Sequence, residues 1–214
     1  MKLNWAERWV VNNPLMIFKQ KIEIAWFKSM MPLAPGKTVL EMGCGRGAGA
    51  KLILRTFQPA VLHVQDLDIK MIAKAKKYLG GADMKKISLS VGDAVRLPFQ
   101  ADSLDAIFGF GFLHHVPDWR SALAEISRVL KTGGLYYFEE LYPGLYQNDI
   151  TKHILLHPEH DRFSSYDLRQ GLHKTSLTLK HAFELRKMGI LGVAAKLQNN
   201  LKKSVNGNIC LCYD

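Results

Sequence analysis

The feature that most constrains the fold is a regular alternation of short apolar strands with amphipathic helices between residues 38 and 140. Strands that alternate with helices form a parallel sheet covered on both faces, because each right-handed crossover places a helix against the sheet. The sequence therefore predicts an α/β fold, a Rossmann-like doubly wound sheet with helices on both faces. The predicted strands are 38–42, 60–65, 87–93, 104–110 and 135–140, and the predicted helices between them are 47–57, 69–79 and 118–130.

Acidic side chains lie at the ends of most of these strands. In sheets of this kind, ligands bind at the carboxyl ends of the strands, near the point where the strand order reverses. The residues at these ends are therefore the first candidates for a binding site. They are Glu41, Asp66 with Asp68, Asp93, and Glu139 with Glu140, while the strand at 104–110 ends at Gly109 and Phe110.

A glycine turn follows the first predicted strand in the sequence VLEMGCGRG, with Gly43, Gly45 and Gly47 at alternate positions. Such a cluster indicates left-handed backbone or the close approach of a ligand. No GKS or GKT follows, which excludes a P-loop, but the stretch GRGAGA from Gly45 fits the loose G-x-G-x-x-A pattern of a dinucleotide loop. Glu41 favours a different ligand, because an acid before the turn suits a positively charged group better than a pyrophosphate.

The acids after the next two strands have both ligand-binding and structural interpretations. Asp66 can accept hydrogen bonds from both hydroxyls of a ribose, the role of an acid at this position in nucleotide-binding folds. Asp68 is a candidate N-cap for the helix at 69–79. Asp93, in the sequence VGDAVRLPF, is either an acceptor for the exocyclic amine of adenine or a turn-forming aspartate.

Four motifs in this order resemble the class I S-adenosylmethionine-dependent methyltransferases. VLEMGCGRG resembles the first motif of that family, VQDLDIKMI its acidic loop after the second strand, and VGDAVRLPF its adenine-contacting motif. The stretch from LDAIFGF to YYFEE resembles the region between the fourth and fifth strands of members that act on small molecules, including the ubiquinone and menaquinone type. The resemblance covers residues 38–140 and extends more loosely to a last helix at 164–172 and a closing antiparallel strand pair at 177–185 and 189–197.

The resemblance implies S-adenosylmethionine as the cofactor and S-adenosylhomocysteine as the product. It also implies that Glu41 lies near the methionine amino group and that Asp66 binds the ribose hydroxyls. The other implied cofactor contacts are Gly43, Gly45 and Gly47 with the methionine part and the ribose, Leu67 with the adenine, Asp93 and Ala94 with the adenine edge, and Gly109 and Phe110 with the methionine moiety.

The groups that act on the methyl acceptor are less constrained, because a general base is needed only when the acceptor must lose a proton. His115 is the candidate base, although the pair of His114 and His115 also has a structural interpretation as a helix start that packs on the cofactor loop. Glu139 and Glu140 are the other catalytic candidates. Strand alternation directs at most one of them into the cleft, and we expect the other to pair with a surface cation. No metal site is predicted, and HPEHDRF at 157–163 is either a salt-bridged loop or a substrate-side element.

The N-terminal region is rich in aromatic residues and lysines. Trp5 and Trp9 are candidates for a lid over a small, partly apolar acceptor that is methylated at O, N or C, and peripheral membrane contact through the N-terminal helices is an alternative use of the region. We expect one methyltransferase domain in four parts. These are a helical cap at 1–35, a cofactor-binding core at 36–140, a substrate-side insertion with the C-terminal helix and hairpin at 141–197, and a tail at 198–214.

The composition bears on the location and on the alternatives. The formal charge of +10 favours a solvated basic surface, yet it keeps an RNA-directed methyltransferase as the runner-up. Nucleic acid is the less favoured partner, because GFGF stands where amine-directed nucleic-acid methylases carry an NPPY-type tetrapeptide. Three cysteines without metal spacing and the lack of an export signal predict a cytoplasmic protein. A non-catalytic cofactor-binding protein of the same fold and a nucleotide-dependent oxidoreductase are the remaining alternatives.

Overall fold

The structure is a computed structural model that describes residues 14–81, 84–146 and 162–197. Trp5, Trp9, most of the HPEHDRF stretch and the tail at 198–214 therefore lie outside the described residues. In chain order the elements are α1 (Pro14–Met30), β1 (Thr38–Met42), α2 (Ala48–Phe57), β2 (Val61–Asp66), α3 (Ile69–Leu79), β3 (Ile87–Val91), β4 (Leu104–Phe110), α4 (Trp119–Val129), β5 (Leu130–Leu141), α5 (Pro143–Tyr146), α6 (Ser165–Lys174), β6 (Leu177–Leu185) and β7 (Gly189–Lys196), with short 3-10 turns at Met84–Lys86 and Leu113–His115.

The strands form a seven-stranded sheet in the order β3-β2-β1-β4-β5-β7-β6. The neighbours from β3 to β5 are parallel, and β7 pairs antiparallel with both β5 and β6. The predicted doubly wound, mostly parallel sheet with a closing antiparallel pair is confirmed. Because the chain moves outwards from β1 to β3 and then returns to the other side of β1, the strand order reverses between β1 and β4. A ligand cleft is expected to open at that point.

Different helices cover the two faces of the sheet. On one face, α1, α2 and α3 pack over strand residues that include Phe108 and Tyr137, whose rings stack with centroids 4.5 Å apart. Phe27 of α1 contacts both of these rings. On the other face, α4 and α6 cover Tyr136, and Trp119 of α4 is buried. Consecutive residues of β5 thus face opposite cores, as the two-residue period of a strand requires.

The start of β5 differs from the prediction. The sequence predicts a turn at 131–134 and a strand from Leu135, whereas β5 begins at Leu130, directly after α4. Leu130 pairs with Leu104, but the pairing resumes at Leu135 with Ala106. The glycine-containing segment at 131–134 is therefore a bulge within a continuing strand, because the extra residues have no partners on β4.

Two helix starts follow from the sequence and are confirmed. The side chain of Asp118 accepts a hydrogen bond from the N–H of Ser121 at 3.0 Å, and the side chain of Asp68 accepts one from the N–H of Lys70 at 3.0 Å. A carboxylate at these positions satisfies an orphan N–H and lies favourably in the helix dipole. None of the described helices is long and apolar enough to cross a membrane.

Candidate active site

A cleft of about 620 Å³ opens at the carboxyl ends of β1, β2, β4 and β5, where the strand order reverses. The predicted site residues divide into two groups. Those that line the cleft are Gly43, Gly45, Asp66, Leu67, Asp93, Ala94, Phe110, His115 and Glu139. Those that are buried and do not line it are Glu41, Gly47, Gly109 and Glu140.

The three glycines of the turn after β1 have different surroundings. Gly43 has a φ of +65°, and a Cβ there would lie 2.6 Å from the Cβ of Phe112. Gly47 has a φ of +86°, and its Cβ would lie 3.2 Å from that of Ala75, so the packing of α3 accounts for this glycine. Gly45 has a φ of +52°, lines the cleft and has open space where a Cβ would stand. Gly45 is therefore the glycine that leaves room for a ligand to approach the backbone.

Glu41 is buried beside this turn with an unsatisfied oxygen. The residue is 2% exposed, and its Oε2 has no hydrogen-bond partner among the described residues. Burial raises the pKa of Glu41 well above its ordinary value near 4.5, the charge of Asp66 raises it further, and a hydrogen bond from the Ala50 backbone opposes the shift. A Cβ at Gly49 would collide with Oε1 of Glu41, which explains the glycine at that position. An orphaned buried carboxylate oxygen is a group that a cationic ligand would satisfy.

Asp66 ties the glycine turn to the loop after β2. One of its oxygens accepts a hydrogen bond from the N–H of Gly45 at 2.9 Å, and the other accepts one from the N–H of Asp68 at 2.9 Å. Burial raises the pKa of Asp66, and these backbone donors oppose that shift. Each carboxylate oxygen has two acceptor sites, so the side chain keeps capacity for the hydroxyls of a ligand in the cleft.

Asp68 and Asp93 have the structural roles that the sequence offered as alternatives to ligand binding, an N-cap and a turn former. Asp68 caps α3, and Asp93 shapes the turn after β3 by accepting a hydrogen bond from the N–H of Val95 at 3.1 Å. Both residues also line the cleft, so a structural role and a ligand contact are compatible. Leu67 and Ala94 follow Asp66 and Asp93 in the chain and line the same cleft.

Phe112 is a site residue that the sequence did not single out. A Cβ at Gly109 would lie 2.5 Å from the Phe112 ring, and Gly43 contacts the same side chain. The side chain of Phe112, through its Cβ at Gly43 and its ring at Gly109, therefore accounts for two of the glycines that the resemblance assigns to the cofactor. Phe112 and Phe110 both line the cleft. The alternation of glycine with phenylalanine in FGFGF at 108–112 was the available signal, but it does not reveal which ring packs on which glycine.

Glu140 is fully buried and holds the 3-10 turn at Leu113–His115. Its carboxylate accepts hydrogen bonds from the N–H groups of Leu113 and His114 at 2.9 and 3.2 Å, and it lies 2.8 Å from Nδ1 of His114. Burial raises the pKa of Glu140, and the contacts with His114 oppose that shift. The prediction that the glutamate outside the cleft pairs with a surface cation is wrong, because Glu140 pairs with the buried His114. Since the carboxylate does not line the cleft, it lies where it can position the turn and not where it can touch a substrate.

Glu139, in contrast, faces the cleft beside a lysine from α1. The Nζ of Lys19 lies 2.9 Å from Oε1 of Glu139 and 2.8 Å from Oε1 of Glu23, so one cation bridges two buried glutamates. Burial raises the pKa of Glu23, the charge of Glu139 raises it further, and Lys19 opposes the shift. No local sequence pattern indicates this contact, because α1 and β5 are far apart in the chain. It makes α1 a wall of the site.

Comparison with known proteins identifies a domain that covers just under half of the chain. Residues 40–138 match the family model described as a methyltransferase domain. The chain contains a class I S-adenosylmethionine-dependent methyltransferase domain. The matched residues run from β1 to β5 and hold most of the cleft, whereas α1, α6, β6 and β7 lie outside them. S-adenosylmethionine is the cofactor of this domain.

Individual relatives add detail. Over 110 residues the chain is 39% identical to the phthiotriol/phenolphthiotriol dimycocerosates methyltransferase of Mycobacterium tuberculosis, and over 108 residues it is 35% identical to the fatty-acid O-methyltransferase of Mycolicibacterium smegmatis. Each match covers 50% of this chain, but the chain spans 39% and 38% of the length of these curated relatives. Among solved structures, the chain is similar to the methyltransferase in a complex with the Trm112 methyltransferase activator of Haloferax volcanii. That match has a TM-score of 0.73 and 19% identity, and it covers 92% of this chain and 100% of that chain. It shows the shared fold.

The residues of the cleft fit S-adenosylmethionine. Asp66 offers acceptors for ribose hydroxyls, and Gly45 leaves space at the backbone. Glu41 does not line the cleft but is buried beside its glycine turn, so a carboxylate there favours a positively charged amino group in the cleft over a pyrophosphate. This buried acid is the observation in the structure that most clearly distinguishes the methyl donor from a dinucleotide.

Proposed function

We propose that the chain transfers a methyl group from S-adenosylmethionine to a small, partly apolar acceptor at O, N or C. The cleft itself carries this proposal, because it combines two kinds of lining. The ends of β1, β2 and β3 bring acids and glycine to one part of the cleft. Apolar side chains from α1, β5 and the turn after β4 line the rest, and they are Met16, Phe112, Val116, Pro117 and Leu141.

The nature of the relatives supports an apolar acceptor. One is a methyltransferase of phthiotriol and phenolphthiotriol dimycocerosates, and another methylates fatty acids at oxygen. The matched region carries the cofactor site, while α1 and the last residues of β5, which complete the cleft, lie outside it. The shared chemistry is therefore the donor, and the acceptor of this chain is proposed from its own apolar lining.

We assign the cofactor-binding roles to Gly45, Asp66 and Asp93 with the nucleoside, and to Glu41 with the amino group. When bound, S-adenosylmethionine supplies a methyl carbon activated by its sulfonium. The task of the chain is then to orient the acceptor and to exclude water. The remaining predicted contacts, from Gly43, Gly47, Leu67, Ala94, Gly109 and Phe110, support the shape of this site, with Gly47 acting through the packing of α3.

For the acceptor we assign Glu139 and His115, since both side chains line the cleft. Glu139 carries a charge balanced by Lys19, so it can accept a hydrogen bond from an acceptor hydroxyl or amine. Glu140 acts as a positioning residue, because its carboxylate holds the turn that presents His115. A base is required only for an acceptor that loses a proton during transfer.

We further propose that the protein is cytoplasmic and that its N-terminal helices contact a membrane peripherally. The helical cap at 1–35, the core at 36–140, the substrate-side region at 141–197 and the tail at 198–214 remain our division of the chain. The contact of Lys19 with Glu139 supports a cap that belongs to the active site.

A methyl-transfer assay tests the proposed function. The purified chain is incubated with methyl-labelled S-adenosylmethionine and a panel of a fatty acid, a quinol, a small phenol, a sterol and tRNA. We expect label in an apolar acceptor and none in tRNA. Glu139→Gln is expected to lower turnover roughly a hundredfold, the usual scale for a lost acid–base group, with little change in cofactor affinity.

Glu184→Gln is the matched control, because Glu184 pairs with Arg169 and Tyr142 away from the cleft. It should leave turnover unchanged. Label in tRNA alone would replace the proposal with the RNA-directed alternative. Cofactor binding without transfer to any member of the panel would favour a non-catalytic binding protein.

A further inference from the structure

The helix α1 is apolar on two opposite faces, and the fold accounts for one of them. Ile24 and Phe27 on the inner face pack into the core against the sheet. Leu15, Phe18 and Ile22 recur at helical spacing on the outer face and are 72%, 63% and 56% exposed. A surface helix normally carries one apolar stripe with polar residues opposite it. The outer stripe therefore requires a separate explanation.

Two further apolar side chains lie on the same side of the sheet. Phe183 and Leu185 of β6 are 57% and 51% exposed. Phe183 pairs with Leu191 of β7, which pairs with Glu139 of β5, so these three side chains point to one face. It is the face on which α1 lies. We define the outer surface as Leu15, Phe18 and Ile22 of α1; Phe183 and Leu185 of β6 add exposed apolar side chains on the same face of the sheet.

The exposed charges around the outer surface are positive. Lys21 lies next to Ile22 on α1, and Lys28 lies in the last turn of α1, where its Nζ donates a hydrogen bond to the backbone carbonyl of Thr56 at 3.5 Å. Arg186 and Lys187 occupy the turn after β6, and all four cations are exposed. The acids of these two elements are directed elsewhere. Glu23 is buried against Lys19, while Glu184 binds Tyr142 and Arg169. Within the described residues of α1, β6 and the turn after it, an apolar stripe is thus bordered by cations without exposed acids.

We propose that the outer surface docks on a lipid bilayer that contains anionic headgroups, with α1 lying in the plane of the interface. Apolar side chains that enter the headgroup region, flanked by lysines, are the features by which a helix binds such a surface. The overall charge of +10 adds long-range attraction to it. The inference rests on the proposed function, because an apolar acceptor resides in a membrane.

The helix that would dock on the bilayer also forms part of the cleft. Met16, Lys19 and Gln20 of α1 line the cleft, and they alternate along the helix with Leu15, Phe18 and Ile22. One helix therefore presents one face to the bilayer and another to the active site. An acceptor leaving the membrane would travel about one helix diameter, on the order of 10 Å, to reach the cleft.

The surface suits other partners less well. Two copies of the chain joined through this surface would bring like charges together, which opposes association. Nucleic acid would use the lysines but would gain nothing from Leu15, Phe18 and Ile22, since binding to its backbone depends on charge. Anionic lipid uses both features at once.

The proposal is tested by measuring how much of the full chain sediments with lipid vesicles. No S-adenosylmethionine is added, so the result does not depend on methyl transfer. The probes are vesicles of phosphatidylcholine alone and of phosphatidylcholine mixed with phosphatidylglycerol. We expect binding to the mixed vesicles and at least roughly tenfold weaker binding to the neutral ones, because each lysine near an anionic surface changes affinity roughly fivefold. The triple variant Leu15→Ser, Phe18→Ser, Ile22→Ser should bind at least about a hundredfold more weakly. These side chains are exposed, so the variant should keep its fold and its cofactor affinity.

The control variant, Tyr166→Ser with Lys174→Gln, removes an exposed aromatic residue and a cation from α6 on the opposite face of the sheet. It should bind the mixed vesicles like the wild type. Equal loss in both variants, or no binding to the mixed vesicles, would overturn the proposal. The proposal would also be overturned if the wild type did not bind lipid and instead formed a dimer or an RNA complex that the triple variant disrupts. If the chain does not bind vesicles but binds the cofactor and transfers methyl groups, the proposed membrane docking is wrong and the proposed methyl transfer stands.

Discussion

Replacing Glu140 with alanine is expected to lower the free energy of unfolding by about 3–5 kcal/mol. The substitution removes the acceptor of two backbone N–H groups and of the His114 ring, and all of these groups are buried. Donors left unsatisfied in the interior cost more than the hydrogen bonds themselves contribute. In a domain of this size the loss corresponds to a fall in Tm of roughly 10 °C, which differential scanning calorimetry would measure.

Glu139→Ala is the matched control, because it alters the neighbouring residue of the same strand. Lys19 would keep Glu23 as a partner, so we expect a loss of roughly 1 kcal/mol. Equal destabilisation by the two substitutions would contradict the view that Glu140 holds the turn at Leu113–His115. Glu140→Gln should fall between them, since the amide keeps one acceptor for the three donors.

The binding of S-adenosylmethionine is expected to release protons, and Glu41 is the expected source. Burial and the charge of Asp66 raise the pKa of Glu41, so the ligand-free protein retains a proton on this group above the pH at which an exposed glutamate loses it. A positive ligand lowers the pKa again. Titration calorimetry at a series of pH values above the ordinary pKa near 4.5, in buffers of different ionisation enthalpy, should show an enthalpy that depends on the buffer. Glu41→Gln should abolish that dependence and weaken binding at least roughly tenfold.

The sign of the pH effect on stability follows from the same shift. An acid with a raised folded pKa binds its proton more tightly in the folded state, so its stabilising contribution falls as the pH rises through that pKa. Glu41→Gln should therefore flatten the decline in stability of the ligand-free protein at rising pH. Glu125→Gln is the control, because the contact with Arg128 lowers the pKa of Glu125 and the residue lies away from the cleft. Proton release that persists in Glu41→Gln would assign it to another group.

The arrangement of the sheet could be predicted because its signals are local. Apolar strands, helix caps such as Asp68 and the acids at strand ends each reveal themselves within a few residues. Their order along the chain, read with the rule for right-handed crossovers, leads to the parallel sheet. The same local reasoning missed the start of β5 at Leu130, because a bulge is defined by the partner strand and not by its own sequence.

The roles of individual site residues depend on contacts across the chain, which local patterns do not encode. Strand alternation separates Glu139 from Glu140, but the position of α1 decides which of them faces the cleft beside Lys19. Similarly, the sequence does not distinguish the two adjacent histidines. The structure does, because Nδ1 of His114 contacts the carboxylate of Glu140. Gly47 likewise could not be interpreted from the sequence, because α3 packs against it and the cleft does not require a glycine there.

The central claim is that the cleft binds S-adenosylmethionine through Asp66. Isothermal titration of the full chain and of Asp66→Ala with S-adenosylmethionine, S-adenosylhomocysteine and NADH tests it most directly. We predict micromolar binding of the first two ligands, no binding of NADH, and a loss of at least roughly a hundredfold in the variant, since the carboxylate holds the glycine turn as well as the ligand. Binding of NADH alone, or affinities for the first two ligands that Asp66→Ala leaves unchanged, would contradict the claim.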